Sequence, residues 1–178
     1  MDPVKVSKRL AYVLRHGPDS VGITLSTDGW VDIDALLQAL ASHGMRLHRD
    51  ELMAVVNGND KLRFAVQENR IRASQGHSVE VELGYTAAAP PDVLYHGTAS
   101  RNLTSIFAGG LVRGERHHVH LSADVGTARK VGARHGFPVV LSINAKDMVC
   151  LGYQFFLSDN AVWLTAEVPP EFLITLQA

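Results

Sequence analysis

The sequence predicts an α+β chain of two lobes, and three observations carry that prediction. Up to Val56 the apolar residues recur at helical spacing in three runs, each closed by glycine or a turn. Two short alternating runs follow, the pattern of a hairpin. Beyond Thr86-Ala87-Ala88-Ala89-Pro90-Pro91, a short semi-rigid linker, the pattern changes to strands between short helices. The expected lobes are therefore 1–88 and 89–178, within the size range of two small domains.

The first run, Val4–Leu14, places Val4, Leu10, Ala11, Val13 and Leu14 at helical spacing. It meets Arg15-His16-Gly17-Pro18, a helix stop, so Arg15 and His16 fall at the last turn, where cations favour the macrodipole. Ser26-Thr27-Asp28-Gly29-Trp30 reads as a turn. Asp32 then caps a second helix, Ile33–His43, with Leu36, Leu37 and Leu40 as its stripe and Gly44 as its stop. A third helix is expected over Arg49–Val56, and Asn57-Gly58-Asn59-Asp60 is a turn or loop. Arg63–Val66 and Arg70–Ala73, separated by Gln67-Glu68-Asn69, form the hairpin. Three helices and then a hairpin is the element order of a winged-helix unit, an analogy at fold level.

In the second lobe Val93–His96 is a strand and Ser100–Ala108 a helix closed by Gly109-Gly110. Gly114–Ser122 reads as a half-buried strand. Alternation would put Arg116, His118 and His120 on one face and His117, Val119 and Leu121 on the other. Val125–Ala133 is helical, Val139–Ile143 a buried strand and Ala161–Thr165 another, and Pro169-Pro170 leads into the C-terminal segment.

Composition narrows the function. A net charge of -1 argues against coating nucleic acid through bulk charge. Yet Leu111–Gly136 concentrates Arg113, Arg116, Arg129, Lys130, Arg134 and His117, His118, His120, His135 against only Glu115 and Asp124. Cys150 is the single cysteine, which excludes a disulfide framework and an all-cysteine zinc site. No apolar run is long enough to cross a membrane, and Met1-Asp2-Pro3-Val4-Lys5 lacks a signal-peptide core, so a cytoplasmic protein is expected.

Four arginines stand out by context: Arg15 beside His16, Arg63 at the hairpin, Arg116 in the cationic stretch and Arg134 in Gly132-Ala133-Arg134-His135-Gly136. A guanidinium matches phosphate with a planar fork of donors, so several together suit a multiply charged phosphate. Taken singly, each is also an ordinary solvated arginine. Gln75-Gly76-His77-Ser78 is a turn or a substrate-contacting loop. His96-Gly97-Thr98 ends an apolar strand, where glycine would let backbone approach a ribose or pyrophosphate. Neither GxGxxG nor GxxxxGK[ST] occurs, and there is no GxSxG elbow. His118 and His120 could share a metal with His96, His135 or Glu167, but the neighbouring arginines oppose a cation and no standard ligand spacing is present.

Seven motifs in register carry a resemblance: Leu14-Arg15-His16-Gly17, Asp28-Gly29-Trp30-Val31, Asn59-Asp60-Lys61-Leu62-Arg63-Phe64, Ile71–Ser78, Leu94-Tyr95-His96-Gly97-Thr98, Arg116–Ser122 and Val131–Gly136. Together they resemble the NAD-dependent tRNA 2′-phosphotransferase (RNA 2′-phosphotransferase) family, over roughly Ser7 to Leu173. The resemblance implies an N-terminal winged-helix RNA lobe and a C-terminal ADP-ribosyltransferase-like lobe that binds NAD. It implies a two-step reaction in which an internal RNA 2′-phosphate attacks NAD and expels nicotinamide. The ribose hydroxyl of the RNA-2′-phospho-ADP-ribose intermediate then attacks that phosphate. The products would be 2′-OH RNA and ADP-ribose 1″,2″-cyclic phosphate, as in tRNA splicing.

By the same resemblance Arg15, His16, Arg63 and Arg116 are the catalytic set. Arg15 and His16 would grip the 2′-phosphate with Arg63 beside them, and Arg116 would stabilise charge on it. His16 would move the proton, since imidazole titrates near neutrality. His96, Gly97, Thr98, His120, Ser122 and Arg134 would bind NAD; Lys61, Gln75, His77 and Ser78 would bind RNA. Val162 stands where other ADP-ribosyltransferases carry a glutamate, a loss expected when the acceptor is already an anionic phosphate. The short tail before the first helix leaves no basic arm for extra grip on RNA. A monomer with RNA and NAD as partners, no membrane and no metal is expected. Two other readings remain: an ADP-ribosyltransferase capping terminal phosphates, and a winged-helix binding module. The second would need base-reading residues on Arg49–Val56, where two of the three polar candidates, Asp50 and Glu51, are acidic.

Overall fold

The computed structural model describes residues 2–59 and 61–176; Asp60 of the Asn59–Phe64 motif lies outside them. Helices and small antiparallel sheets are mixed along the chain, which divides into two compact units, Met1–Gly84 and Tyr85–Ala178.

In the first unit α1 (Pro3–Arg15) starts where the Asp2 carboxylate accepts from Val4 N–H, with proline in its first turn. It buries Val6, Leu10, Val13 and Leu14 and ends at His16, whose N–H donates to the Tyr12 carbonyl. β1 (Val31–Asp32) runs straight into α2 (Ile33–Ser42), because the Asp32 carboxylate accepts from Asp34 and Ala35 N–H. α3 (Arg49–Asn57) begins with Glu51 accepting from His48 N–H. The hairpin is β2 (Phe64–Gln67) with β3 (Arg70–Ala73), in register Phe64↔Ala73 and Gln67↔Arg70. β1 adds on the far side of β3, giving the order β1-β3-β2. Leu10, Leu14, Ile33, Leu36, Leu40, Leu52 and Ile71 are fully buried in one core; each such side chain contributes about 1.5–3 kcal/mol.

The second unit contains β4 (Val93–Ala99), α4 (Leu103–Gly109), β5 (Leu111–Val112), β6 (Val119–Leu121), α5 (Val125–Gly132), β7 (Pro138–Asn144), α6 (Ala145–Cys150), β8 (Phe155–Leu157), β9 (Trp163–Thr165), β10 (Glu167–Val168) and β11 (Leu173–Thr175). They pair as β11-β7-β4, β6-β9-β8 and β10-β5. A bridge between Tyr95 and Ser122 ties β4 to the end of β6. Leu94, Leu121, Leu141, Ile143 and Phe155 form the core. In the Thr86–Pro91 stretch, Ala88 N–H donates to the Phe155 carbonyl at 2.8 Å.

Four expectations need correction: Arg63 precedes β2, which takes in Gln67 and leaves a Glu68-Asn69 loop, and the strand expected over Ala161–Thr165 is only Trp163–Thr165. The strand expected over Gly114–Ser122 is only Val119–Leu121; Gly114–His118 is turn and bend. His118 therefore does not share a strand face with Arg116 and His120, and its ring lies 5.5 Å from Phe156 instead. Ser100–Ala108 is not one helix. Ser100–Asn102 is a 3-10 turn and the α-helix begins at Leu103.

Candidate active site

In the first unit α1 joins the sequence motifs to one another. Its last residue, Arg15, offers its carbonyl to the Ser78 and Val79 N–H groups at 2.9 and 3.2 Å. His16 Nδ1 and Ser78 Oγ are 2.9 Å apart. The Arg15–His16 pair is thus fastened, through backbone and side chain, to the loop after the hairpin. Half a helix earlier, Ser7 is 8% exposed and accepts from Asn59 Nδ2 (3.1 Å) and Arg63 Nη1 (3.4 Å). Arg63 is held further by its backbone, whose carbonyl accepts from Ser74 N–H, while Ser74 Oγ donates to the Leu62 carbonyl.

The remaining residues of this unit are less alike. His77 is 2% exposed, and its Nε2 lies 3.7 Å from where a side chain would begin at Gly29. Gly29 has φ +82°, a conformation that favours glycine, so the Asp28-Gly29-Trp30 turn folds over the His77 ring. Gln75 Oε1 is buried with no hydrogen-bond partner among the described residues. Lys61 is exposed, with its N–H on Asn59 Oδ1. Leu62, between Lys61 and Arg63, has φ +42° and is exposed.

In the second unit Arg116 and His96 both bond to His120, one to its ring and the other to its backbone. Arg116 Nη1 donates to His120 Nδ1 at 2.9 Å, and His96 Nδ1 donates to the His120 carbonyl at 3.1 Å. Each partner selects a tautomer. His120, accepting at Nδ1, carries its proton on Nε2; His96, donating from Nδ1, keeps Nε2 as an acceptor. The two imidazoles thus present opposite polarity. Burial, and after it the charges of Arg116 and His135, hold the His96 pKa below its ordinary value, against the upward pull of the bond to His120. A neutral His96 follows. Burial likewise lowers His118, helped by His117 and Arg113.

Ser122 is tied to the residue before His96 by its paired backbone bonds with Tyr95. Thr98 is buried, and its hydroxyl accepts from Asn102 Nδ2. Arg134 is exposed in the segment after α5. Gly97 lets β4 and α5 pack backbone to backbone, because a Cβ there would fall 1.6 Å from the Ala128 carbonyl oxygen of α5. Gly132 faces it, with a hypothetical Cβ 2.8 Å from the Thr98 carbonyl oxygen. Among the described residues no three His, Cys, Asp or Glu side chains group to hold a metal ion.

Sequence reasoning missed Ser7 and Tyr12. Ser7 is a buried hydroxyl on the edge of an apolar helix face, and that polarity is a legible signal. The Tyr12 ring lies against Gly17 and 6.3 Å from the His16 ring. Residue type gave no sign of this.

Both units therefore hold arginine and histidine fixed by hydrogen bonds, with donors in excess of acceptors. Such sets bind oxyanions. Comparison with known proteins agrees with that chemistry. A Pseudomonas aeruginosa protein called a probable RNA 2'-phosphotransferase is 55% identical over 170 residues, 94% of this chain and 93% of the relative. Relatives of the same name from Nostoc punctiforme and Hahella chejuensis are 51% and 50% identical over 172 residues; these cover 96% of this chain and 95% and 92% of theirs. The model of the RNA 2'-phosphotransferase, Tpt1 / KptA family matches residues 1–167, and the chain belongs to that family.

Proposed function

We propose that the protein removes an internal 2′-phosphate from RNA by transferring it to NAD, yielding 2′-OH RNA, ADP-ribose 1″,2″-cyclic phosphate and nicotinamide. Membership of the RNA 2'-phosphotransferase family over residues 1–167 carries the reading. NAD, bound as co-substrate, would supply the electrophilic carbon and the hydroxyl that receives the phosphate. The first unit acts as a winged-helix RNA lobe and the second as an ADP-ribosyltransferase-like lobe.

Arg15 and His16 hold the 2′-phosphate, their positions set by Ser78; Arg63 stands beside them, held by Ser7. His16 moves the proton, and Lys61, Gln75, His77 and Ser78 contact the RNA. Arg116 offsets the charge that grows on the phosphate as it is transferred, an effect of about 10²–10³ in rate for one donor. The residues of the second unit fit NAD in kind. A guanidinium, a donor imidazole (His120), an acceptor imidazole (His96) and the Ser122 hydroxyl suit a pyrophosphate and ribose hydroxyls. Gly97, Thr98 and Arg134 complete that side: Gly97 and Thr98 through β4 backbone on the side away from α5, Arg134 through its exposed guanidinium.

The test is to incubate the purified protein with RNA bearing an internal 2′-phosphate, with and without NAD, following phosphate and nicotinamide. NAD-dependent formation of 2′-OH RNA with the cyclic phosphate is expected. Nicotinamide release with a persistent ADP-ribosylated RNA would replace the proposal by a capping transferase. No dependence on NAD would overturn it.

A further inference from the structure

Helix α1 carries a second feature. At 3.6 residues per turn, Lys5, Lys8, Arg9, Tyr12, Arg15 and His16 share the face opposite the buried Val6, Leu10, Val13 and Leu14. Lys5, Lys8, Tyr12 and His16 are exposed, Tyr12 at 48%, and Arg9 and Arg15 are partly so. A polar outer face is normal for an amphipathic helix, usually with both signs of charge. This one has a single sign. Pro3–Arg15 contains no Asp or Glu, in a chain with 18 acidic residues against 17 Lys and Arg. α2 and α3 carry Asp34, and Asp50 with Glu51, in their first turns; α1 has no acid there. The Asp2 carboxylate caps the helix, and within the first turn itself the charged residue is Lys5. No carboxylate among the described residues pairs with Lys5, Lys8 or Arg9. The Arg9 guanidinium lies 5.6 Å over the Tyr12 ring, which keeps its N–H groups for another acceptor.

We propose that this face of α1 is a track for single-stranded RNA. Lys5, Lys8 and Arg9 take backbone phosphates on one side of the nucleotide that carries the 2′-phosphate, and the Arg9–Tyr12 pair offers a flat surface to a base. The proposal rests on the assignment of Arg15 and His16 to that nucleotide, because the stripe ends at those two residues. From Lys5 to His16 it runs about 16 Å, enough for several nucleotides. That termination, and the aromatic ring within the stripe, favour RNA over an acidic protein.

The test compares two double variants of the full chain, Lys5→Gln/Lys8→Gln and Arg101→Gln/Lys146→Gln, which remove equal charge from exposed positions. Binding is read by fluorescence anisotropy at several salt concentrations. The probes are a single-stranded oligoribonucleotide with one internal 2′-phosphate, its unphosphorylated twin, and a 2′-phosphorylated dinucleotide. At ~0.7 per phosphate contact, the α1 variant should lower the salt slope for the oligomer by about 1.4 and raise its Kd roughly 25-fold at 0.1 M salt. Dinucleotide binding should be unchanged, which also reports an intact fold, and the second double variant should change neither. Equal effects of the two doubles, or an unchanged oligomer Kd in the first, would overturn the track. If the wild type binds the phosphorylated and unphosphorylated oligomers alike, the proposed function fails instead. The salt slopes of the two doubles still decide the track.

Discussion

Gly97→Ala separates two uses of a glycine. Glycine in His96-Gly97-Thr98 suggests close approach of a ligand, but the side on which its Cβ would stand is filled by α5. The added methyl carbon would lie 1.6 Å from the Ala128 carbonyl oxygen, 2.5 Å from its carbon and 2.9 Å from Gly132 nitrogen. All three are backbone atoms, so no rotamer relieves the overlap. α5 would have to move by more than an ångström from β4, opening the layer it covers. Overpacking ordinarily costs about 1–3 kcal/mol, and the backbone clash puts this case at the upper end, ~3 kcal/mol or more. For a chain of this length that is a loss of about 6–12 °C in Tm. Gly109→Ala is the control: nothing lies within 4 Å of its added carbon, and alanine in a helix gains up to about 1 kcal/mol. Thermal and urea unfolding followed by circular dichroism decide it. A Gly97→Ala protein that melts within a degree or two of wild type would refute the packing argument.

Two further outcomes follow from the second unit. With its pKa held below the ordinary imidazole value, folded His96 takes up fewer protons than the unfolded chain once pH falls below ~6.5. Its contribution to stability is complete above that pH and declines as pH drops through it. His96→Asn should therefore flatten the fall of the urea midpoint between about pH 7 and pH 5, and an unchanged slope would remove His96 from that account. Arg116→Lys keeps the charge but not the fork that reaches His120 while leaving donors for a phosphate. It should lose about 10²-fold in phosphate transfer, with the ADP-ribosylated RNA accumulating; near-wild-type turnover would show that charge alone suffices.

How far the site could be read in advance depended on whether its geometry was local. The helix ends were legible because caps act within four residues. Asp32 caps α2 and Arg15–His16 close α1 as the side-chain chemistry requires. The hairpin itself followed from alternation, but not its register: Gln67, expected in the turn, pairs with Arg70. The cationic stretch was misread for the converse reason. Alternation assumes a strand, and the pairing that would make one reaches only Val119–Leu121. Arg116 still meets His120, but through a bend that brings residues four apart together, a geometry period two does not contain. α6, β5, β8, β10 and β11 were missed because two- and three-residue strands and a six-residue helix have no periodicity to read.

Long-range contacts were legible only where they needed an unusual residue. Ser7 shows why. Val6, Leu10, Val13 and Leu14 announce the buried face of α1, and a hydroxyl beside them at 8% exposure needs a partner, since an unsatisfied buried polar group costs about 1–3 kcal/mol. The partners are Asn59 and Arg63, more than fifty positions away in sequence. The sequence contains the need but not the address. The glycine pair works the same way. Gly97 reads as an approach residue and Gly132 as an ordinary helix position, yet each omits its side chain for the backbone of the facing element. A residue type that is costly where it stands marks a contact, and the fold supplies the other half of it.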